Sequence, residues 1–358
     1  MGQSLDKLTI KGFKSIKSLE NFKLKNLNIM IGGNGAGKSN FIEVFRMLCA
    51  MAEGESAFDK FTQMGGGADD FLHNGPKATP VIEIDLNFEE FYFSRRLFPT
   101  VSEKFVIEKE GIFGKNKFAT GIYDTHLQSE IGKSLRNQVN ELVSNIIVYH
   151  FHDTSSTAPM RRSEITADNI KLRSDASNIA PFLLQLRKDE PKHYNAVVEA
   201  VRLVTPFFDD FILEPERKGE KEKVNLSWRQ KGSDYPMQPY HFSDGTIRFI
   251  CLATALLQPA PPSAIIIDEP ELGLHPYAIE ILSELIKAAS TKTQVIISTQ
   301  SPHLIDKFNP EDIIVVNRED GASTFDRLNE KELAEWLKDY SLGELWRKNV
   351  IAGGPVNE

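Results

Sequence analysis

The chain lacks any long apolar run: none of its 358 residues belongs to a stretch approaching the roughly 18 that a membrane-spanning helix needs. Cysteine is scarce. Cys49 and Cys251 are the two present; each sits beside apolar residues on a helical stretch, so buried thiols in a reducing cytoplasm are expected rather than a disulfide. Positive charge is not in excess either. With 42 Lys and Arg against 50 Asp and Glu, the net charge is −8, which gives no global attraction to nucleic acid or to an anionic membrane. Local basic patches stay open. The N-terminus has no basic-then-apolar leader, and Asp6 stands where a myristoylation motif wants Ser or Thr. No sustained heptads occur, so no long coiled coil is expected. What remains is a soluble, cytoplasmic protein without membrane attachment. At 41% hydrophobic residues it has enough apolar material for a large core, as one big or two moderate domains.

Two separated segments carry the chemistry. Gly32-Gly33-Asn34-Gly35-Ala36-Gly37-Lys38-Ser39 fits the G-x-x-x-x-G-K-[ST] phosphate loop. Glycines let backbone N–H groups curl round phosphate oxygens, Lys38 reaches the β/γ-phosphates, and Ser39 offers a hydroxyl to Mg²⁺. The apolar run Leu27–Ile31 predicts a strand leading into the glycines. Phe41, Val44, Phe45 and Leu48 predict a helix leaving them, whose N-terminus also faces the anion. Far downstream, Ile265-Ile266-Ile267-Asp268-Glu269-Pro270 reads as a buried strand that delivers one carboxylate to a metal and a second to a water. The two motifs together, in this order, predict a nucleotide-hydrolysing site.

Further motifs surround the second segment. His241-Phe242-Ser243-Asp244-Gly245-Thr246 opens an apolar helix over 247–257. Glu271-Leu272-Gly273-Leu274-His275-Pro276 follows the acidic pair, and Gln294–Thr299 predicts a strand ending in Gln300-Ser301-Pro302. This ordered set resembles the ABC-type ATPases, and among them the RecF/SMC-like heads and the related OLD-type and AAA-21-type bacterial ATPases. The resemblance spans roughly residues 5–50 and 240–317. It implies an α/β ABC-ATPase head: a phosphate-loop mixed-sheet core with a flanking antiparallel sheet, plus a helical lobe. It also implies ATP and Mg²⁺ as cofactors and a head-to-tail homodimer with two ATP molecules between protomers.

Carried onto this chain, the resemblance makes Gly32, Asn34, Gly35, Gly37, Lys38, Ser39 and Asn40 nucleotide contacts. Ser39 and Asp268 become the Mg²⁺ positions, Glu269 the general base or water-positioning group, and Gln300 the switch residue. Ser243 and Gly245 match the signature loop that meets the γ-phosphate on the other protomer. Lys14, in the Phe13-Lys14-Ser15 turn, matches a basic residue approaching the nucleotide. Two departures stand out: the signature reads Phe-Ser-Asp-Gly, and the switch is a glutamine instead of a histidine. A glutamine can hydrogen-bond a γ-phosphate but cannot become cationic. Slow turnover is the expectation, with ATP more a dimerising clamp than a fuel, and an import or export subunit is disfavoured.

The middle of the chain is less explicit. Residues 57–75, with Gly65-Gly66-Gly67 and Asp69-Asp70, read as a mobile, solvated loop. Residues 81–88 alternate as a half-buried strand, 92–97 and 105–109 read as further strands, and 128–144 as a helix. The run Tyr149-His150-Phe151-His152-Asp153 has three open readings. Its His-x-His-Asp could place metal ligands on one strand face, it could simply pack, or His152 or Asp153 could take the place where related heads present a glutamine to the metal and attacking water. Three segments are expected: 1–153 with the phosphate loop and antiparallel sheet, a mainly helical lobe over 154–240, and 241–358 with signature, acidic strand, switch strand and tail. Arg161, Arg162 and the charged run 214–223 read as solvated or partner-facing. Tyr340, Leu345 and Trp346 could dock a second polypeptide or pack back on the head. By resemblance, short ATPases of this kind are paired with a neighbouring effector protein in bacterial defence or toxin-type systems, whereas a RecF-like DNA-binding ATPase is the alternative.

Overall fold

A computed structural model describes residues 4–88, 91–114 and 130–351. At its centre is a six-stranded sheet. In spatial order its strands are Ala322–Arg327, Ile313–Glu319, Leu27–Ile31, Gln294–Thr299, Ala264–Asp268 and Ile146–Tyr149. All neighbours run parallel except the first pair, an antiparallel hairpin at one edge. The phosphate-loop strand Leu27–Ile31 is buried at every position, as a strand covered on both faces must be.

Successive residues of these strands enter two separate cores. Ile29, Ile31, Ile265, Ile267, Val295 and Ile297 join one; Met30, Ile266, Ile296 and Ile314 join the other. The second core is closed by the phosphate-loop helix Lys38–Glu53 and by a five-stranded antiparallel sheet. That sheet is ordered Ile16–Lys23, Leu5–Phe13, Ile82–Phe88, Phe91–Pro99 and Phe105–Gly114. Strict alternation of buried and half-buried residues over Ile82–Phe88 bears out the half-buried strand. The first core is closed by the signature helix Asp244–Leu257, the helix Pro276–Ser290 and the lobe between residues 154 and 240. That lobe carries two helices, Ile179–Asp189 and Pro191–Val204, together with two small three-stranded sheets.

One expectation of the sequence looks different in three dimensions, and two readings left open are decided. Residues 57–75 are not a solvated loop: they hold the helix Glu55–Met64 and a short 3-10 turn, Ala68–Phe71. Phe58, Phe61, Phe71 and Phe105 meet in an aromatic cluster with centroids 5.5–6.1 Å apart, and burying those rings outweighs the glycines that follow. No group of three or more His, Cys, Asp or Glu residues could hold a metal among the described residues, so His-x-His-Asp makes no such site. The C-terminal residues pack back on the head. Leu342 and Leu345 are buried in the first core, Tyr340 and Trp346 lie against it, and Gly343 N donates to Asp306 Oδ1 at 2.6 Å. Residues 352–355 lie outside the described residues. No described helix is long and apolar enough to cross a membrane.

Candidate nucleotide site

The phosphate loop leaves its buried strand at Ile31 and enters the helix Lys38–Glu53 through Gly37, which adopts a left-handed conformation with φ 116°. A side chain at Gly37 would collide with the Ser323 hydroxyl as well as being strained. The helix start has no side-chain cap, so its leading N–H groups are left for an anion. Gly33, Asn34, Gly35, Gly37, Lys38, Ser39, Asn40, Glu269 and Gln300 line one hollow of about 130 Å³. Residues from three remote stretches of sequence therefore converge on one spot.

Lys38 is the charge at its floor. It is 6% exposed, and burial pushes its pKa down while Glu269, Asp268 and Glu271 pull it back up. Its ammonium donates to the carbonyls of Gly32 (2.6 Å) and Gly33 (3.1 Å), which makes the loop curl round it. Opposite, Glu269 follows the acidic strand with φ 44°, an uncommon value for a side-chain-bearing residue. Its N–H donates to Ser298 O at 2.7 Å, and one carboxylate oxygen accepts from the Gln300 side-chain amide. The base candidate and the switch candidate are thus bonded to each other, across the ends of adjacent parallel strands in which Asp268 pairs with Ser298.

Several residues that hold this arrangement were not singled out by the sequence. Glu271 is 9% exposed; one oxygen accepts from Thr299 Oγ1 (2.5 Å) and from the backbone N–H of Gln300 (3.1 Å), while the other is buried without a partner. Burial raises its pKa. Its only signal was an acid placed just after Asp-Glu-Pro. Ser323, on the edge hairpin, donates to Ala36 O (2.6 Å) and lies 2.7 Å from the Ser15 hydroxyl, to which Asn40 also donates at 2.7 Å. Arg248, buried in the signature helix, donates to the carbonyls of Phe151 (2.8 Å), His152 (3.0 Å) and Leu272. It ties the edge-strand loop to the turn that follows the acidic pair. No local pattern could have flagged Ser323 or Arg248, because their partners are distant in sequence.

The remaining site expectations are distributed as follows. Lys14 sits in its turn at φ 45°, but its ammonium is held by both oxygens of Glu43 (2.6 and 2.7 Å) and lies 4.6 Å from the centre of the Phe71 ring; it does not line the hollow. Ser15, beside it, reaches the loop. The side chain of His152 is exposed. Instead His150 turns inward, with Nδ1 2.9 Å from Arg46 Nη2. Burial first, and Arg46 second, push its pKa down to about 4, against a pull from Asp268. Strand parity decides the matter: Tyr149 and Phe151 are buried in the first core, which places His150 on the side of the phosphate-loop helix. Ser243 is exposed and caps the signature helix, accepting from Thr246 N at 3.1 Å. Gly245 packs so close to the Gly273 carbonyl that no side chain fits. Neither lines the hollow.

The residues present suit a nucleotide with Mg²⁺: an uncapped helix start and a desolvated ammonium for phosphate, and a hydroxyl and a carboxylate (Ser39 and Asp268) as hard oxygen donors. No curated protein matches the sequence. Among solved structures the fold is similar to "Crystal structure of the SmcHead bound to the C-winged helix domain of ScpA", with TM-score 0.62, 16% identity, and 93% of this chain and 99% of that one covered. It is also similar to the Smc head domain with an extended coiled coil bound to the C-terminal domain of ScpA from Pyrococcus furiosus, with TM-score 0.60, 16% identity, and coverage of 94% and 99%. At such identity the likeness speaks for the fold. The family profile described as "AAA domain, putative AbiEii toxin, Type IV TA system" matches residues 27–306, from the phosphate-loop strand to the turn beyond Gln300. With loop, acidic strand and switch strand all inside that span on an SMC-head fold, the chain belongs to the AAA_21 family, an ABC-type ATPase of the RecF/SMC-like group.

Proposed function

We propose that this chain binds ATP with Mg²⁺, hydrolyses it slowly, and uses ATP to pair two copies head to tail, and that pairing controls a partner effector protein. The observation that carries the reading is the single hollow shared by the phosphate loop, Glu269 and Gln300. Lys38, freed from the Gly32 and Gly33 carbonyls, would turn its ammonium to the β/γ-phosphates, while the N–H groups of the helix start hold their oxygens. Ser39 and Asp268 would hold the Mg²⁺, which when bound neutralises charge developing on the phosphoryl oxygens. Glu269 would orient and deprotonate the attacking water with the carboxylate oxygen that Gln300 leaves free, and Gln300 fixes that carboxylate's direction. Gln300 is never cationic, so it supplies orientation without charge.

Ser243 and Gly245 stay outside their own chain's hollow, and this supports their acting on the nucleotide of a second copy. The toxin–antitoxin setting in the family description supports an effector partner; the net charge of −8 weighs against duplex DNA as the main ligand. The test is to express Glu269→Gln with its genomic neighbours, purify it with ATP and Mg²⁺, and identify what co-elutes. A stoichiometric neighbour protein is expected. Duplex DNA without a protein partner would replace the effector reading with the RecF-like one.

A further inference from the structure

A second cavity lies apart from the nucleotide hollow. It measures about 510 Å³ and opens beside the C-terminal half of the phosphate-loop helix, against the edge strand Ile146–Tyr149 and the loop at residues 171–174. That volume lies in the range of small-molecule sites. Four cationic side chains line it, Arg46, Lys60, Lys171 and Arg173, against one carboxylate, Glu53. Arg173 is paired with Asp168 at 2.8 Å. Among the described residues no carboxylate lies within ion-pair distance of Arg46, Lys60 or Lys171. Arg46 Nε is buried without a hydrogen-bond partner, and burial lowers the Arg46 pKa, a cost that the more distant Asp268 and Glu43 offset only in part. Phe61, Ile147 and Leu172 add an apolar wall.

We propose that this cavity is a binding site for a phosphate-bearing small molecule with an apolar portion. A guanidinium with unspent donors, flanked by two exposed lysines, is the arrangement that selects phosphate, since the planar fork bonds two oxygens at once and the lysines add point charge. The apolar wall takes the rest of the ligand. A phosphate there competes with His150 for Arg46, whose guanidinium also feels Asp268 of the nucleotide site. The site is separate from the nucleotide hollow and shares no lining residue with it. The proposal does not depend on hydrolysis.

The test uses the full chain with its nucleotide site filled first by Mg²⁺ and a non-hydrolysable ATP analogue. Phenyl phosphate, and separately inorganic pyrophosphate, are then titrated by calorimetry. Saturable binding of phenyl phosphate at about 1 mM or tighter is expected, weakened about tenfold or more in Lys60→Ala/Lys171→Ala. Both lysines are exposed, so that variant keeps its fold and its affinity for the ATP analogue. Three outcomes would overturn the proposal: no saturable binding of either probe, binding that excess ATP analogue displaces, or equal binding in the double variant.

Discussion

Around the phosphate loop, polar groups from three remote parts of the chain close on one another: Ser323 on Ala36 O, Ser15 on Ser323, and Asn40 on Ser15. Around Ser243 the support comes from beneath and the outer rim is left bare. Arg161 donates to Pro239 O (2.6 Å), Phe242 O (3.1 Å) and the Asp244 carboxylate (3.0 Å), and Arg248 braces the helix behind, while Ser243 and Asp244 remain exposed. One region is finished within the chain. The other is braced from beneath and exposed at its rim, as a surface should be if its ligand arrives on a second copy. This difference fits the proposed division of labour, in which binding would be intramolecular and response intermolecular.

The strongest way to break the finished side is Lys38→Ala. It removes the one buried ammonium at the loop, and turnover should fall by about 10²–10³-fold with ATP affinity lost alongside, while the thermal transition stays. Binding titration beside a melting curve checks this. On the presented side, Arg248→Met strands the carbonyls of Phe151, His152 and Leu272 and should cost about 3 kcal/mol of stability by denaturant titration. Its ATPase activity should drop further than its ATP affinity.

Gly37→Ala forces a side chain into a left-handed position and against Ser323, and should cost about 1–3 kcal/mol. Adding Ser323→Ala should return part of that loss because it empties the colliding space, a non-additivity that a double-mutant cycle reads directly. The smallest effect expected is that of Glu271→Gln. The amide oxygen still accepts from Thr299 and Gln300, so the fold persists. Because burial raises the Glu271 pKa, the folded state holds its proton longer than the unfolded chain does, and stability declines as pH climbs from the ordinary 4.5 through the raised value. The glutamine variant should lose that decline.

How much of this was legible in the sequence follows from distance along the chain. The phosphate loop, the acidic strand and the switch strand are contiguous patterns, and their strands and helices stand where the apolar spacing placed them. His150 against His152 turned on strand parity at the end of a short run, which neighbouring sequence does not specify. The helix Glu55–Met64 was hidden because the glycines after it spoke louder than Phe58 and Phe61, whose partners Phe71 and Phe105 come later. Ser323 meets Ala36 across 287 positions; no window of sequence contains both.

The central claim is that ATP joins two copies through the bare signature face. It is tested most directly by the solution mass of Glu269→Gln with and without ATP and Mg²⁺, measured by light scattering. The account predicts a shift from the 40.3 kDa single chain to twice that mass with ATP, abolished by adding Ser243→Arg. A single-chain mass at saturating ATP, or a dimer indifferent to both nucleotide and Ser243→Arg, would contradict it.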